Sequence, residues 1–330
     1  GVPIASDYLS QELVIATGAG DAIVVDYQCI MPSLGDSASA FHTKIITTME
    51  CARLEDSKSV QHIPFSTDDA RGVSASILRE AIKAFKMRAN ADLPEEEKTV
   101  LAGFSVESIT TALSAVSPAD PLKPLIDNIT NGNILGIALL CGCNNVVVQH
   151  NKNIVTLAAE LIHNNVLVLA TGCAAGALAL NGFMDPVYSY EQAGENLKRV
   201  CSAIGYAAGK EVLPPIFHMG SCVDNSRPAE LACIIAERLQ VDISDLPLVA
   251  SAPELMNEKA VSIGTAAVAL GMPVHLGVIP PIQGSDRIVN ALTNDIKELI
   301  GGYFIPEPNP IMAAERLISV IEGKRKVLGI

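Results

Sequence analysis

Phe217-His218-Met219-Gly220-Ser221-Cys222-Val223-Asp224-Asn225-Ser226-Arg227 reads as the end of a strand, a turn and the start of a helix. The apolar run over 212–217, with prolines inside it, supplies the strand, and Gly220 and Ser221 make the turn. Ser226-Arg227-Pro228-Ala229 opens a helix that runs to about residue 239. Cys222 therefore falls in the turn. In parallel α/β sheets, ligands collect beyond the carboxyl ends of the strands, where backbone N–H groups and helix N-termini face one crevice. A helix N-terminus favours ionisation of a nearby thiol, and the thiolate is the form that binds metal or attacks a substrate. The arrangement recurs at Gly142-Cys143-Asn144-Asn145 and Thr171-Gly172-Cys173-Ala174-Ala175, and in variant form at Gln28-Cys29-Ile30-Met31-Pro32. Four cysteines are thus expected to end four strands.

Outward from that stretch, strands and helices alternate. Strands are expected at 22–26, 44–48 and 61–64, with helices at 7–15, 37–41 and 70–89. The charged, proline-containing stretch 90–98 is the expected boundary, dividing the chain into 1–95 and 96–330. A helical passage over 105–129 follows, then strands at 133–140, 166–170, 215–218, 246–250 and 274–279. An alanine-rich helix follows Gly172, and further helices are read at 153–163, 190–207, 226–239, 257–270 (closed by Gly271), 285–299 and 310–326. Near-continuous apolar strands with helical crossovers mean an α/β fold whose parallel, doubly wound sheets are covered on both faces.

The 330 residues are 49% hydrophobic and 18% charged, enough apolar surface for large cores. A net charge of −13 excludes the basic face that phosphate-backbone binding needs, so no nucleic-acid partner is expected. With 4% aromatic residues and no tryptophan, base-stacking surfaces are also excluded, and small-molecule chemistry is left. The uncharged runs 164–184 and 260–285 have the length of membrane spans, but each is interrupted. The first changes from β-branched residues and leucines to an alanine-rich segment, and the second contains Gly271, Pro273, Pro280 and Pro281, so both read as buried strand and helix. No signal segment precedes the first elements, and the eight cysteines are then expected as reduced thiols in a cytoplasmic protein. Nucleotide signatures fail, since Gly18-Ala19-Gly20-Asp21-Ala22-Ile23 lacks the third glycine.

Zinc fits the cysteines poorly. A structural zinc site pairs close ligands, whereas the strand-end cysteines lie 114, 30 and 49 residues apart (29 to 143, 143 to 173, 173 to 222). Such spacing suits a larger cluster approached from several strands. Cys51, Cys141, Cys201 and Cys233 are instead expected to pack as small hydrophobes.

Five motifs in order carry a resemblance. They are Val24-Val25-Asp26-Tyr27-Gln28-Cys29-Ile30-Met31-Pro32, Gly142-Cys143-Asn144-Asn145, Ala170-Thr171-Gly172-Cys173-Ala174-Ala175, His218 to Arg227, and Ser251-Ala252-Pro253-Glu254-Leu255-Met256-Asn257-Glu258-Lys259-Ala260. Together the chain resembles the nickel-iron-sulfur carbon monoxide dehydrogenases over nearly its whole length. The resemblance implies two Rossmann-like domains, with Cys29, Cys143, Cys173 and Cys222 ligating a nickel-iron-sulfur cluster and Lys259 as catalytic lysine. The implied reaction is reversible oxidation of CO with water to CO2, two electrons and two protons, passed to a ferredoxin-type carrier in a homo-oligomer. An ammonium beside the reacting carbon stabilises the negative oxygen that develops there. Ile263, one helical turn beyond Lys259, either lines an apolar wall or packs as core. His218 reads as a structural residue at a strand end, able to donate to a cluster sulfur or a carbonyl, and Glu254 and Glu258 as helix-start charges.

Family members also have an N-terminal helical domain carrying 4Fe-4S clusters, a further cysteine and a histidine of the ligand set, and a catalytic histidine. The sequence has no such region, so the first domain is expected to be truncated at its N-terminus and the chain alone to be inactive. Val146 stands where the family commonly has proline. Two alternatives remain at this point: a hybrid-cluster (prismane) type hydroxylamine reductase, distinguished by nickel content, and a non-catalytic scaffold module, distinguished by metal content insensitive to cysteine replacement.

Overall fold

The computed structural model describes residues 6–26, 29–89, 91–92, 95 and 100–330. The chain divides into two compact units, residues 8–97 and residues 1–7 with 98–330. Most of the expected boundary stretch, namely Asn90, 93–94 and 96–98, lies outside the described residues.

In the smaller unit, β1 (Ala22–Val25), β2 (Lys44–Thr47) and β3 (Val60–His62) pair in parallel in that order, beside helices α1 (Gln11–Ala16), α2 (Leu34–Ser39) and α3 (Ala70–Phe85). Ile15, Val25, Leu34, Ala38, Ile45 and Val60 form its core, one apolar residue or more from each strand and from the first two helices. Helix α3 begins at Asp69, whose carboxylate accepts from Gly72 N at 3.1 Å, and stops four residues short of the expected end. Just beyond it, Arg88 turns back on the start of β1. Its guanidinium donates to both carboxylate oxygens of Asp21, at 3.0 and 2.7 Å, and to Ala19 O at 2.8 Å, holding the Asp21 carboxyl below the usual range.

The larger unit opens with α4 (Val106–Ser114) and α5 (Lys123–Thr130), two helices where one passage was expected, because Pro118 and Pro121 interrupt the pattern. The chain then runs β4 (Gly136–Leu140), α6 (Lys152–His163), β5 (Val166–Thr171), α7 (Gly172–Leu180), α8 (Pro186–Gln192), α9 (Glu195–Ala207), β6 (Ile216–Gly220), α10 (Ser226–Leu239), β7 (Leu248–Ala252), α11 (Glu258–Ala269), β8 (Pro273–Leu276), α12 (Asp286–Asn290), α13 (Ile296–Ile300), β9 (Tyr303–Pro306) and α14 (Pro310–Leu328). The helix expected over 190–207 is broken at Gly194, which packs so closely on the His163 carbonyl that no Cβ fits. A π-helical segment, Ala291–Asp295, separates α12 from α13. The edge strand β9 was not expected, though Gly301-Gly302 before it and Pro306 at its end bracket an apolar run.

All six strands are parallel in the order β6-β5-β4-β7-β8-β9. Numbered within the unit this is 3-2-1-4-5-6, the dinucleotide-fold order, whose direction reverses between β4 and β7. Every residue of β4, β5 and β7 is buried, which is why these strands read as unbroken apolar runs.

His275 on β8 is a buried polar member of this core, 1% exposed, with Nδ1 2.7 Å from Ser251 Oγ and Nε2 donating to Glu307 O at 2.8 Å. Burial holds its pKa below the ordinary 6.5. The folded chain therefore binds this proton less readily than the unfolded chain. Its contribution to stability is complete above 6.5 and declines as pH falls below it toward the lowered folded value. Denaturant midpoints at neutral and mildly acidic pH should drop for the wild type and drop less for His275→Gln; parallel pH slopes would contradict this.

Candidate metal centre

The carboxyl ends of β4, β5, β6 and β7 lie at one edge of the larger sheet, and the expected site residues of this unit follow them. Cys143 comes three residues after β4 and is 2% exposed; Cys173 is the second residue of α7; Cys222 lies in the expected turn, where it opens a 3₁₀ helix, Cys222–Asn225. Cys173 and Cys222 are half-buried.

Gly172 brings these ends together. It has φ +60°, and a Cβ added there would collide with Cys222 Sγ while lying 3.6 Å from both Cys222 N and Gly142 O. The segments after β4, β5 and β6 therefore meet around one glycine. Gly142, at φ +96°, extends the contact: a Cβ there would lie 3.3 Å from Ala252 Cβ at the end of β7 and 3.9 Å from Ala260 Cβ in α11.

Hydrogen bonds hold the Cys222 turn. Asp224 Oδ2 accepts from Ser221 N at 2.7 Å and Ser221 Oγ at 3.1 Å; Arg227 donates to Met219 O at 2.7 Å and pairs with Asp224 at 3.0 Å. Asn225 Nδ2 donates to Cys222 O at 3.0 Å and Asn225 Oδ1 accepts from Thr171 Oγ1 at 2.6 Å, which ties the turn to the end of β5. Aspartate, asparagine and arginine at the start of a helix are the signal for this bracing in the sequence.

The remaining cysteines divide. Cys141 and Cys201 are buried, and burial pushes each thiol up to about 12, with Cys222 adding to the effect on Cys141. Both pack as neutral, small hydrophobes. Cys51, in the 3₁₀ turn Glu50–Ala52, and Cys233, on the outer side of α10, are exposed, which corrects the expectation that they too are core.

Three side chains near the strand ends have buried polar atoms without a hydrogen-bond partner among the described residues: Asn144 Oδ1, both ring nitrogens of His218, and Lys259 Nζ. His218 is 2% exposed and burial lowers its pKa, so its ring is held neutral. Lys259 is the second residue of α11, at the positive end of the helix dipole, where a cation is disfavoured unless something negative faces it. Ile263 lines a largely apolar cavity of about 260 Å³ between α11, the start of α10 and the sheet, with Leu139, Leu169, Ala266 and Met272 among its walls. Ile263 also packs against the hydrophobic core, so the wall and core readings both describe it.

In the smaller unit, Cys29 lies beyond the end of β1 with φ +40°, a conformation rare for a side chain with Cβ, and its carbonyl accepts from Gln11 Nε2 at 2.7 Å. Tyr27 and Gln28 of its motif lie outside the described residues. Among the described residues no three histidine, cysteine or acidic side chains stand close enough to hold a metal ion. A single ion draws its ligands to about 2.3 Å from one point. Thiolates around a body of several irons and sulfides need not converge on one point.

Residues 1–311 match the family model described as Prismane/CO dehydrogenase family. Carbon monoxide dehydrogenase 1 of Carboxydothermus hydrogenoformans is 53% identical over the whole chain. The solved carbon monoxide dehydrogenase IV of the same organism superposes with a TM-score of 0.92 at 50% identity, over 100% of this chain and 52% of that one. A Ni-free carbon monoxide dehydrogenase from Thermococcus sp. AM4 superposes with a TM-score of 0.87 at 46% identity, over 100% of this chain and 50% of that one. The chain spans about half the length of these relatives, 52% of the first. With the ordered motifs, the strand-end cysteines and these matches agreeing, the chain belongs to the Prismane/CO dehydrogenase family.

Proposed function

We propose that this chain forms the cluster-bearing portion of a nickel-iron-sulfur carbon monoxide dehydrogenase that oxidises CO with water to CO2, two electrons and two protons. The observation that carries the reading is the meeting of the Cys143, Cys173 and Cys222 segments around Gly172, in a unit that also buries Lys259 Nζ without a partner among the described residues. Lone buried ammonium groups are costly, and a dianionic or more highly charged thiolate-bound cluster is a natural counter-charge. The buried, unpartnered Asn144, His218 and Lys259 atoms are suited to face a sulfur-rich, negatively charged group.

Cys29, Cys143, Cys173 and Cys222 would hold the group, Cys29 on the strength of its motif. When bound, the cluster supplies a site for CO and takes up the two electrons. Lys259 offers N–H donors to the oxygen on which negative charge develops, in a site where low polarity strengthens the attraction. His218, neutral, has an N–H to offer a sulfur or an oxygen. The cavity beside Ile263 suits a small uncharged molecule. A ferredoxin-type acceptor, further 4Fe-4S clusters, a homo-oligomer and a cytoplasmic setting complete the proposal. No helix among the described residues is long and apolar enough to cross a membrane.

The test is metal analysis of the anaerobically purified full-length protein together with CO-dependent viologen reduction. Nickel, several irons and acid-labile sulfide with CO oxidation are expected; iron without nickel, and hydroxylamine reduction in place of CO oxidation, would replace this reading with a hybrid cluster. Serine in place of Cys143, Cys173 or Cys222 should remove most of the nickel and iron.

Lys259→Ala should keep the metals and lower kcat by about 10²–10³-fold, the cost of one transition-state donor; loss of metal with unchanged kcat per nickel would assign Lys259 to assembly instead.

Gly172→Ala should displace Cys222, costing about 1–3 kcal/mol in stability and reducing metal content even in folded protein. A variant of wild-type stability and metal content would show that the segments do not need this close approach.

A further inference from the structure

Glu254 lies in the segment between β7 and α11, five residues before Lys259, and is fully buried. It is not a charge at the start of α11. Its Oε1 accepts from Asn153 N at 3.1 Å, capping α6 from 101 residues away, where the local cap residue Asn151 makes no side-chain cap and sits at φ 65°. Its Oε2 accepts from Asn144 Nδ2 at 3.4 Å, and the same nitrogen donates to Asn151 Oδ1 at 2.7 Å. One residue on, Leu255 O accepts from Asn145 Nδ2 at 2.5 Å. Burial pushes the carboxyl up, opposed by the Asn144 amide and the backbone N–H groups of Ile154, Asn153 and Asn151.

These bonds span the point at which the sheet reverses direction. On one side is the loop carrying Cys143; on the other is the segment leading to Lys259; β4 and β7, which they follow, are adjacent. A helix cap alone needs no link to Asn144, and a buried carboxylate is a costly way to cap a helix that serine or aspartate at position 151 could close locally. We propose that Glu254 is a positioning residue that, through Asn144, fixes the Cys143 loop relative to the helix start bearing Lys259. The proposal rests on the reading of Cys143 as a ligand and Lys259 as the stabilising cation. Held this way, thiolate and ammonium keep one separation through the reaction, which is where displacements of an ångström cost rate.

The test compares Glu254→Gln and Asn144→Ala with wild type in the full-length, anaerobically purified protein. Glutamine retains an acceptor for Asn153 N but turns a donor toward Asn144 Nδ2; alanine at 144 leaves the cap intact and keeps the test in hand if the first variant fails to fold. Amide exchange read by mass spectrometry should quicken about tenfold or more in peptides covering 142–150 and 255–262 in both variants, the effect of losing a buried hydrogen bond. kcat for CO oxidation should fall about 10- to 100-fold with KM within twofold of wild type. Exchange altered only at the first turn of α6 would make Glu254 a helix cap and nothing more, and overturn the proposal. A wild-type protein without CO oxidation, but with the expected exchange pattern in the variants, would remove the functional reading and leave the link standing.

Discussion

Parallel pairing of β4 with β5 on one side and β7 on the other is the constraint on which the larger unit depends. In a parallel ladder every strand must return by a crossover, so all carboxyl ends fall on one edge and all connecting loops there face one another. Cys143, Cys173, Cys222 and Lys259 each follow a strand of this sheet, so the order of the strands puts them all at one edge. The reversal between β4 and β7 leaves a crevice at which the crossover helices diverge. Across it run the amides of Asn144 and Asn145, meeting Glu254 and the carbonyl of Leu255.

Glycine and buried polar groups serve different ends at this edge. Gly172 and Gly142 lack the Cβ that would hold the segments apart, so backbone and sulfur come within contact. The polar side chains then divide into two sets. Asp224, Asn225, Arg227, Glu254 and Asn151 have their partners within the fold and keep the loops in place. Lys259, His218 and Asn144 Oδ1 have none among the described residues. Folded chains rarely leave buried donors and acceptors unmatched, because each forfeits its hydration for nothing. Unmatched atoms gathered at one edge of a sheet are therefore a better guide to a missing partner than the same atoms scattered through a core.

The two units are built on one plan. Among the described residues the larger carries six strands and a continuous core; the smaller carries three, a short core, and the Arg88–Asp21 pairing that secures the end of α3 on β1. A three-stranded parallel sheet buries little apolar surface, which makes such a tie valuable. The cysteine of this unit, Cys29, follows its first strand as Cys143 follows the first strand of the other.

By itself the sequence determined the α/β class, the crossover pattern and the candidate ligands, because buried parallel strands are written as apolar runs and the cysteines stand where those runs stop. Motifs at the strand ends were legible for the same reason: turn glycines and helix-start residues are local signals. The break of one helix at Gly194, the exposure of Cys51 and Cys233, and the edge strand β9 were not, since each depends on what packs against it. Only the tertiary structure decided that Gly172 sits against Cys222, 50 residues away, and that Glu254 caps a helix 101 residues before it. Periodicity records which face of an element is buried. It carries no record of which distant backbone that face meets, and that pairing is set by strand order, which follows from the packing of the whole sheet.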